Sequence, residues 1–288
     1  MKIIEPKVEL WRQEDAKAHV ARCARVCYGK ETGNDEATVK RLIDSEHWSM
    51  FRHESVYAII PVHERELKDY PLLVLSSPYI KTHTYNGNVY VATNGQFILD
   101  KFYPKFIELI NRYRVTEDEF SNTEFGFHMM RYTFCVDTQI STSRELNRVS
   151  PNSIAEKSTR YVYEDGTICR PHWMSDEIAT HFNEEPLFAD WIDDNIEHQK
   201  AYHYISSCND SFFNYKALID EFGMHRQDAR GVLPLDTATR CVYTYSILEW
   251  RAILDLRYYG TTGKPHPNAY IIASMIRDEL MELGYDFR

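Results

Sequence analysis

Arginine and hydroxyl side chains are concentrated in one stretch of the sequence, STSRELNRVSPNSIAEKSTRYVYEDG, which runs from Ser141 to Gly166 and is called the arginine-rich segment below. Within it, Arg148, Ser158 and Arg160 could present two planar guanidinium groups and a hydroxyl to a phosphate. If Ser158 begins a helical turn, the backbone N–H groups of that turn would add to the same anion site. The segment therefore permits a site for a phosphorylated ligand.

The same residues also permit a purely structural interpretation. The charges could solvate a helix face and pair with Glu145, Glu156 and Asp165, while Ser158 acts as a helix cap. Charge runs of this kind are common on protein surfaces. Residue types alone favour this second interpretation but leave the first open.

Two further arginines stand next to apolar stretches. Arg230 comes just before Val232-Leu233-Pro234, and Arg257 follows the apolar run that ends at Leu256. A cation beside a buried run is costly unless it meets an anion or a polar ligand. A structural ion pair of Arg257 with Asp255 or Glu249 is an equally good explanation of that position.

The overall charge is opposite to that of the arginine-rich segment. The chain of 288 residues has a formal net charge of −10 and an isoelectric point near 5.7. It therefore lacks the basic surface that duplex nucleic acid or an anionic membrane would require, and any anion must be bound locally. No apolar run approaches the roughly 20 residues that span a bilayer, and the first residues do not resemble a signal peptide. We expect a cytoplasmic protein without nucleic-acid or membrane partners.

The usual motifs of cofactor and metal sites are missing from the sequence. The sequence contains no GxGxxG pattern, no phosphate loop and no GxSxG motif. It also lacks the metal-binding motif HExxH, and no metal is expected. The six cysteines form no CxxC pair and show no metal-ligand spacing. We expect them to be reduced and mostly buried.

The elements that must position these residues alternate between strands and helices. Strands are predicted in KIIEPKVEL, ESVYAIIPV, VYVAT and MRYTFCV, with a turn at Asn86-Gly87. Helices are predicted from Asp15, from about Asp35 with Val39, Leu42 and Ile43 inward, over Phe97 to Arg114 with an interruption at Pro104, over Thr138 to Arg148, over Asp176 to Phe222, around EWRAILDLR, and over Asn268 to Leu283. This order predicts an α+β fold, a mixed sheet with several long helices. We expect one catalytic domain over residues 1–288 with an inserted elaboration at about 64–128.

The order of motifs carries a family resemblance. The stretch SRELNRVSPNSIAEKSTRYV resembles the signature of the flavin-dependent thymidylate synthase family, an Arg-His-Arg triplet followed seven residues later by Ser-x-Arg-Tyr. CARVCYGK, EHWSMFRHESVYAIIP and QDARGVLPLDTATRCVYTYSILEWRAILDLR resemble other segments of the family in the same order. YVATNGQFILDKF and MRYTFCVDTQISTSREL resemble its longer branch, which has an insertion before the signature. The resemblance extends from about residue 16 to residue 283.

The resemblance implies a reaction and its cofactors. Family members are methyltransferases that convert dUMP to dTMP, with methylenetetrahydrofolate as the carbon donor, FAD as the hydride carrier and NADPH as the reductant. They need no cysteine nucleophile, and they are homotetramers whose sites are shared between subunits. The flavin performs the redox chemistry, while the protein supplies orientation and electrostatics.

The resemblance also assigns site residues by position. It places on dUMP Glu145, Leu146, Asn147, Arg148, Glu156, Lys157, Ser158, Thr159, Arg160, Arg230 and Arg257. Ser158 and Arg160 would bind the phosphate, and Arg257 would contact the pyrimidine and stabilise charge at N3. It places on FAD His47, Ser49, Arg148, Val149, Ser150, Glu156, Ser246, Ile247, Leu248 and Ala252.

Departures from the family pattern fall at the flavin positions. Val149 and Ser150 stand where the family has His and Arg, Ala252 replaces an Asn or His, and Ser246 stands where Asn is frequent. At the nucleotide positions, Ser158, Arg160, Arg230 and Arg257 keep the family residues. Two alternative functions therefore stay open, a related enzyme that hydroxymethylates a pyrimidine nucleotide, and a noncatalytic nucleotide-binding homologue that has lost the flavin.

Overall fold

The computed structural model describes residues 1–65, 67, 77–100, 102–184 and 195–287. The strands within these ranges are β1 Lys2–Ile4, β2 Lys7–Trp11, β3 Ser55–Pro61, β4 Lys81–Tyr85, β5 Asn88–Asn94, β6 Arg114–Val115, β7 Arg131–Gln139, β8 Ile154–Glu156, β9 Thr167–Cys169 and β10 Ala238–Ser246. The helices are α1 Ala16–Val26, α2 Asp35–Asp44, α3 Gly95–Leu99, α4 Pro104–Arg112, α5 Glu117–Ser121, α6 Glu124–Phe127, α7 Ile140–Leu146, α8 Asp176–Glu184, α9 Ile196–Asp220, α10 Arg226–Ala229, α11 Ile247–Arg257 and α12 Pro267–Glu282. Two short 3₁₀ helices cover Trp48–His53 and Arg230–Val232.

The central sheet has the strand order β2-β7-β10-β8, and all its pairings are antiparallel. Side chains alternate across it, because successive residues of a strand point to opposite faces. Phe134 and Val136 join the main hydrophobic core on one face, whereas Cys135 packs on the other face in the cluster that contains Val20 of α1. The sheet is therefore covered on both sides.

Helices α7 and α11 leave opposite ends of this sheet. Strand β7 runs directly into α7 and strand β10 directly into α11, and the two strands pair along their whole length. Because the pairing is antiparallel, the two helices begin at opposite ends. Leu146 of α7, Trp250 of α11 and Ile272 of α12 belong to the same core cluster. Helices α7 and α11 therefore approach each other across one face of the sheet.

A second antiparallel sheet has the order β4-β5-β3-β6, and its strands β4, β5 and β6 lie in the predicted elaboration. Its β3 and β5 strands pack against α4, while Tyr57 stacks on Phe120 at 4.7 Å between ring centroids and joins the main core. The predicted turn is confirmed, since Asn86 and Gly87 have φ values of 46° and 77°. Residues 66, 68–76 and 101 of the predicted elaboration lie outside the described residues. Its status as an insertion in a single domain stays a prediction.

A third, two-stranded sheet joins β1 to β9 in parallel and packs against α8 and α9. The predicted helical region from Asp176 to Phe222 is confirmed in α8 and α9, and its residues 185–194 lie outside the described residues. The stretch KIIEPKVEL forms two strands instead of one, because β1 and β2 pair in different sheets on either side of Glu5-Pro6.

The α+β class is confirmed, with the strands of the described residues divided among three sheets. Two further local predictions are wrong. Ile43 is 42% exposed, since α2 buries the face of Val39 and Leu42 and Ile43 lies in its last turn. Helix α7 begins at Ile140 instead of Thr138, because Thr138 still pairs with Thr239 in the sheet.

The cysteines behave as predicted. All six thiols are free, five are buried, and Cys27 is half-buried. Burial raises the pKa of the Cys27 thiol, so it is a poor nucleophile. In the described part of the chain, no helix is both long and apolar enough to cross a membrane, and no cluster of metal-ligating side chains occurs.

Candidate functional site

Residues 158–162, called the Ser158 turn below, connect strand β8 to the rest of the arginine-rich segment. The backbone N–H of Ser158 donates to the Cys27 carbonyl at 3.1 Å, so the turn is fixed to the end of α1. The N–H groups of Tyr161 and Val162 donate back to the Ser158 carbonyl at 3.0 and 2.9 Å. These two donors are therefore engaged within the turn, and the anion site expected from a helical turn would depend on side chains instead.

Arginine side chains lie around this turn. The Arg230 NH1 group donates to Thr159 Oγ1 at 3.3 Å, which brings the 3₁₀ helix after α10 against the turn. The Arg160 side chain is exposed, and its guanidinium carbon lies 5.5 Å from the centroid of the Tyr161 ring. The Ser158 hydroxyl accepts a hydrogen bond from the Arg160 N–H at 3.3 Å. Four residues predicted for the phosphate region, Ser158, Thr159, Arg160 and Arg230, are thus neighbours.

Lys157 has a structural partner in the same segment. Its Nζ lies 2.8 Å from Glu164 Oε2, and the Glu164 side chain is only 2% exposed. Burial raises the pKa of Glu164, while the adjacent lysine lowers it. The pair closes the loop behind the Ser158 turn, so the ammonium group of Lys157 is held away from the exposed arginines.

A second group of predicted nucleotide residues lies where α7 meets α11. Arg257 Nε donates to the Glu145 carbonyl at 2.6 Å, and its NH2 lies 2.9 Å from Glu145 Oε2. Arg148 NH2 reaches the same carboxylate oxygen at 3.2 Å. Burial and the neighbouring Arg148 lower the pKa of Arg257, and Glu145 raises it. Neither Asp255 nor Glu249 is the ion-pair partner of Arg257; Glu145 is.

Glu156 connects the two groups. It ends strand β8 just before the Ser158 turn, and its Oε1 accepts hydrogen bonds from Ser143 of α7 at 2.9 Å and from Thr239 of β10 at 3.1 Å. The turn is therefore anchored to the helix that carries Glu145. The remaining predicted nucleotide residues differ in accessibility, since Leu146 is fully buried in the core and Asn147 is exposed. Because the Leu146 side chain is buried, this residue could contact a ligand only through its backbone.

The predicted flavin residues lie on three elements. His47 and Ser49 belong to the start of the 3₁₀ helix Trp48–His53, where His47 is exposed and Ser49 half-buried. Arg52 of that helix donates to the Asn152 carbonyl at 2.7 Å. This bond ties the helix to the loop that carries Val149 and Ser150.

Side chains at the start of α11 are mostly engaged elsewhere. The Ser246 backbone N–H donates to Glu249 Oε2 at 2.8 Å, and the Ser246 hydroxyl accepts from the Glu249 N–H at 3.4 Å, which is a capping box. Ile247 and the half-buried Val149 pack in the main core. Leu248 is 65% exposed and Ala252 is also exposed. Polar contacts from Ser246 are thus used by the helix itself, and Leu248 offers an apolar surface.

Sequence reasoning missed several residues around these groups. Arg226 donates to the Tyr161 carbonyl at 2.7 Å, although its position four residues before Arg230 could have indicated a shared helix face. A buried chain of contacts joins His53 Nδ1 to Thr244 Oγ1 at 2.8 Å and Thr244 to Thr133 at 2.7 Å. No local pattern marks that chain, because its members are far apart in the sequence.

A cavity of about 850 Å³ lies on the α1 side of the central sheet. Among the predicted site residues it borders only Lys157, together with Trp11, Arg240 and Glu164. Neither Arg160 nor Arg257 lines it. Val162 of the Ser158 turn borders this cavity, whereas Arg148 and Arg230 do not.

Known proteins are similar to the part of the chain that carries these residues. Residues 121–282 match the thymidylate synthase complementing protein family. A flavin-dependent thymidylate synthase of Thermosipho africanus (strain TCF52B) is 30% identical over 135 residues, which are 46% of this chain and 57% of that protein. The match thus spans little more than half the length of this relative. Two solved structures of the UMP/dUMP methylase PolB from Streptomyces cacaoi are also similar to 98% of this chain. The structure bound with 5-Br dUMP is matched over 93% of its length, with a TM-score of 0.47 and 17% identity. The structure bound with 5-Br UMP is matched over 92% of its length, with a TM-score of 0.45 and 16% identity.

The family match includes the arginine-rich segment, helix α11 and the whole of helix α12. The chain belongs to the thymidylate synthase complementing protein family.

Proposed function

We propose that this protein is a flavin-dependent thymidylate synthase, which methylates dUMP at C5 to form dTMP with methylenetetrahydrofolate, FAD and NADPH. The observation that carries the proposal is the pair of arginines at the Ser158 turn. Arg160 and Arg230 make no ion pair with any described carboxylate, so their charges are available to a ligand. The family membership and the name of the Thermosipho africanus relative support the same activity.

The phosphate of dUMP would bind at the Ser158 turn. Two guanidinium groups and the Ser158 hydroxyl surround one short backbone segment, and guanidinium groups bind phosphate through paired hydrogen bonds. A fixed turn presents these donors with little loss of backbone freedom, since Ser158 is bonded to Cys27 and Tyr161. Binding at this position would orient the nucleotide for reaction.

Arg257 would act on the pyrimidine. Its side chain is 13% exposed, and the Glu145 carboxylate and carbonyl fix the guanidinium through Nε and NH2. The donor group NH1 is left to reach the base. A fixed cation in a partly desolvated place would stabilise negative charge at N3 of the pyrimidine, which makes C5 more nucleophilic. Glu145 is in this proposal a positioning residue.

The side chains at several of the predicted flavin positions suit the binding of a flavin. They offer one cation at Arg148, the hydroxyls of Ser49 and Ser150, an imidazole at His47 and an exposed apolar side chain at Leu248. Such donors suit a diphosphate, and the apolar group suits an aromatic ring system. Bound flavin would supply the hydride that completes the methyl group. The residues of this chain would hold it and exclude water.

The decisive experiment is a product assay with purified protein, dUMP, methylenetetrahydrofolate, FAD and NADPH. We expect dTMP, identified by mass and chromatographic comparison, and a rate of dTMP formation lower by a factor of about 10² to 10³ in the Arg257→Ala variant. A hydroxymethylated nucleotide would instead assign the related pyrimidine-modifying activity. Tight binding of dUMP without any product would assign a noncatalytic homologue. A homotetramer with shared sites is part of the proposal, and light scattering should give four times the 34.0 kDa chain mass.

A further inference from the structure

Three arginines surround the Ser158 turn, one more than the family resemblance assigns to it. Arg226 NH1 donates to the Tyr161 carbonyl at 2.7 Å, and Arg230 NH1 donates to Thr159 Oγ1 at 3.3 Å. Arg226 begins α10 and Arg230 caps it, so they lie four residues apart on one helix face. Arg160 stands between the two turn residues that they contact. All three arginine side chains therefore contact the short segment from Thr159 to Tyr161.

These charges are not neutralised within the described part of the chain. None of the three arginines makes an ion pair there, although the protein has a formal net charge of −10. Asp220 accepts a hydrogen bond from the Tyr163 hydroxyl at 2.7 Å and forms no ion pair with these arginines, and neither does Asp228 of α10. Like charges four residues apart on a helix repel each other. An acidic chain that keeps three unpaired cations together has a surface suited to an anion with more than one charged group.

Arg226 is also held in a fixed orientation. Its guanidinium carbon lies 5.5 Å from the centroid of the Tyr163 ring, and one nitrogen is bonded to the Tyr161 carbonyl. A guanidinium that packs on an aromatic ring and donates to a carbonyl loses little further freedom when it binds a ligand. The other two nitrogens make no hydrogen bond in the described structure, and the residue is exposed. Arg226 therefore presents free donors next to the phosphate position.

We propose that Arg226 forms a second anion subsite beside the monophosphate position, so that the Ser158 turn binds the polyphosphate chain of a pyrimidine nucleoside triphosphate. The inference rests on the proposed nucleotide site, in which Arg160 and Arg230 bind the first phosphate. A monophosphate carries between one and two negative charges near neutral pH, and two arginines with a serine hydroxyl match it. The third arginine has no role toward that group, whereas the next phosphate of a triphosphate would extend toward it.

The test is calorimetric binding of dUMP, dUTP and inorganic tripolyphosphate to the full-length protein and two variants. In Arg226→Gln, the side chain can still donate to the Tyr161 carbonyl but loses its charge. In the control Arg112→Gln, one exposed arginine is removed from α4, away from the turn. For the unmodified protein we expect dUTP to bind at least about tenfold more tightly than dUMP. Arg226→Gln should abolish that difference and change dUMP affinity less than about threefold, and the control should retain the difference.

The other outcomes separate the two proposals. If dUMP binds and dUTP binds no more tightly, the second subsite does not exist, while the thymidylate synthase assignment is unaffected. If tripolyphosphate binds as tightly as dUTP and both variants lose it equally, the arginines form only a nonspecific cationic patch and the inference is wrong. If dUTP binds in an Arg226-dependent manner but dUMP is neither bound nor methylated, the subsite stands and the proposed function fails. If no nucleotide binds, both fail.

Discussion

Arg257 and Glu145 are joined through both the backbone and the side chain of the glutamate. The arginine Nε donates to the Glu145 carbonyl at 2.6 Å, and its NH2 lies 2.9 Å from the carboxylate. The carbonyl belongs to the last turn of α7, where it has no partner within the helix. Arg257 in turn lies in the last turn of α11. The contact therefore closes the ends of two helices and fixes the orientation of one guanidinium.

Replacing Arg257 with alanine should lower the rate of dTMP formation by a factor of about 10² to 10³, as loss of one fixed charge-stabilising donor does. The value of KM for dUMP should change less, because the phosphate contacts at the Ser158 turn are intact. Steady-state kinetics would measure both quantities. Arg251→Ala, at an exposed arginine of the same helix, is the matched control. A normal rate for Arg257→Ala would refute the role that we give to this residue.

Glu145→Gln tests the positioning role separately. The carbonyl contact to Arg257 is kept, but the carboxylate that both Arg257 and Arg148 approach is lost. We expect a lower kcat, because two neighbouring cations would lose their shared counter-ion. The affinity for dUMP should be unchanged, because its phosphate is proposed to bind at the Ser158 turn. Rate and affinity that fall together would indicate that the change disturbs the fold of α7 instead.

Arg160→Ala should weaken dUMP binding by about 1.5 to 3 kcal/mol, the scale of a charge-assisted hydrogen bond. The effect should diminish at high salt, since Arg160 is exposed and its charge is screened there. Calorimetry at two salt concentrations would measure both effects, with Arg112→Ala as a variant of equal charge change. Equal losses in the two variants would show that only net charge matters.

Ser150→Arg should tighten FAD binding by about tenfold, because it restores a cation where the resembling family carries one. The site is exposed, so the longer side chain has room. Quenching of flavin fluorescence measures the affinity. Asn152→Arg adds the same charge at another exposed position of the same loop. If Asn152→Arg tightened FAD binding as much, the gain would come from added charge in the loop and not from a contact at position 150.

Two buried histidines predict how stability depends on pH. Burial lowers the pKa of His19 to about 4 and that of His53 to about 3. In the unfolded chain both should titrate near pH 6.5, so unfolding takes up protons below that pH. The free energy of unfolding should be greatest above pH 6.5. It should fall by up to about 1.4 kcal/mol per pH unit for each histidine as the pH drops from 6.5 toward 4.

Urea unfolding at pH 7.5 and pH 5.5 would measure this slope. His19 Nε2 lies 3.1 Å from Thr133 Oγ1, and glutamine could keep that contact without titrating. His19→Gln should therefore make the slope shallower, whereas His128→Gln, at an exposed residue, should not. Identical slopes in the unmodified protein and His19→Gln would rule out this histidine as a source of the acid sensitivity.

Local structure could be predicted from the sequence where its signals are local. The spacing of apolar residues identified α1 and α12, and Asn86-Gly87 identified the turn between β4 and β5. The order of motifs identified the family, whereas the anion site in the arginine-rich segment was one of two interpretations and stays a prediction. Such features depend on residues within a few positions of one another, which a sequence displays directly.

The tertiary structure alone decided which residues meet. Sequence reasoning paired Arg257 with Asp255 or Glu249, because those acids are near it in the chain, yet its partner Glu145 is 112 residues away. Likewise, Thr133 and Thr244 meet across 111 residues in the middle of the central sheet. Both contacts follow from the antiparallel pairing of β7 with β10, which sets α7 and α11 at opposite ends of one sheet face. Residue types and local spacing indicate the chemistry that is available, but only strand register and helix packing bring distant groups together.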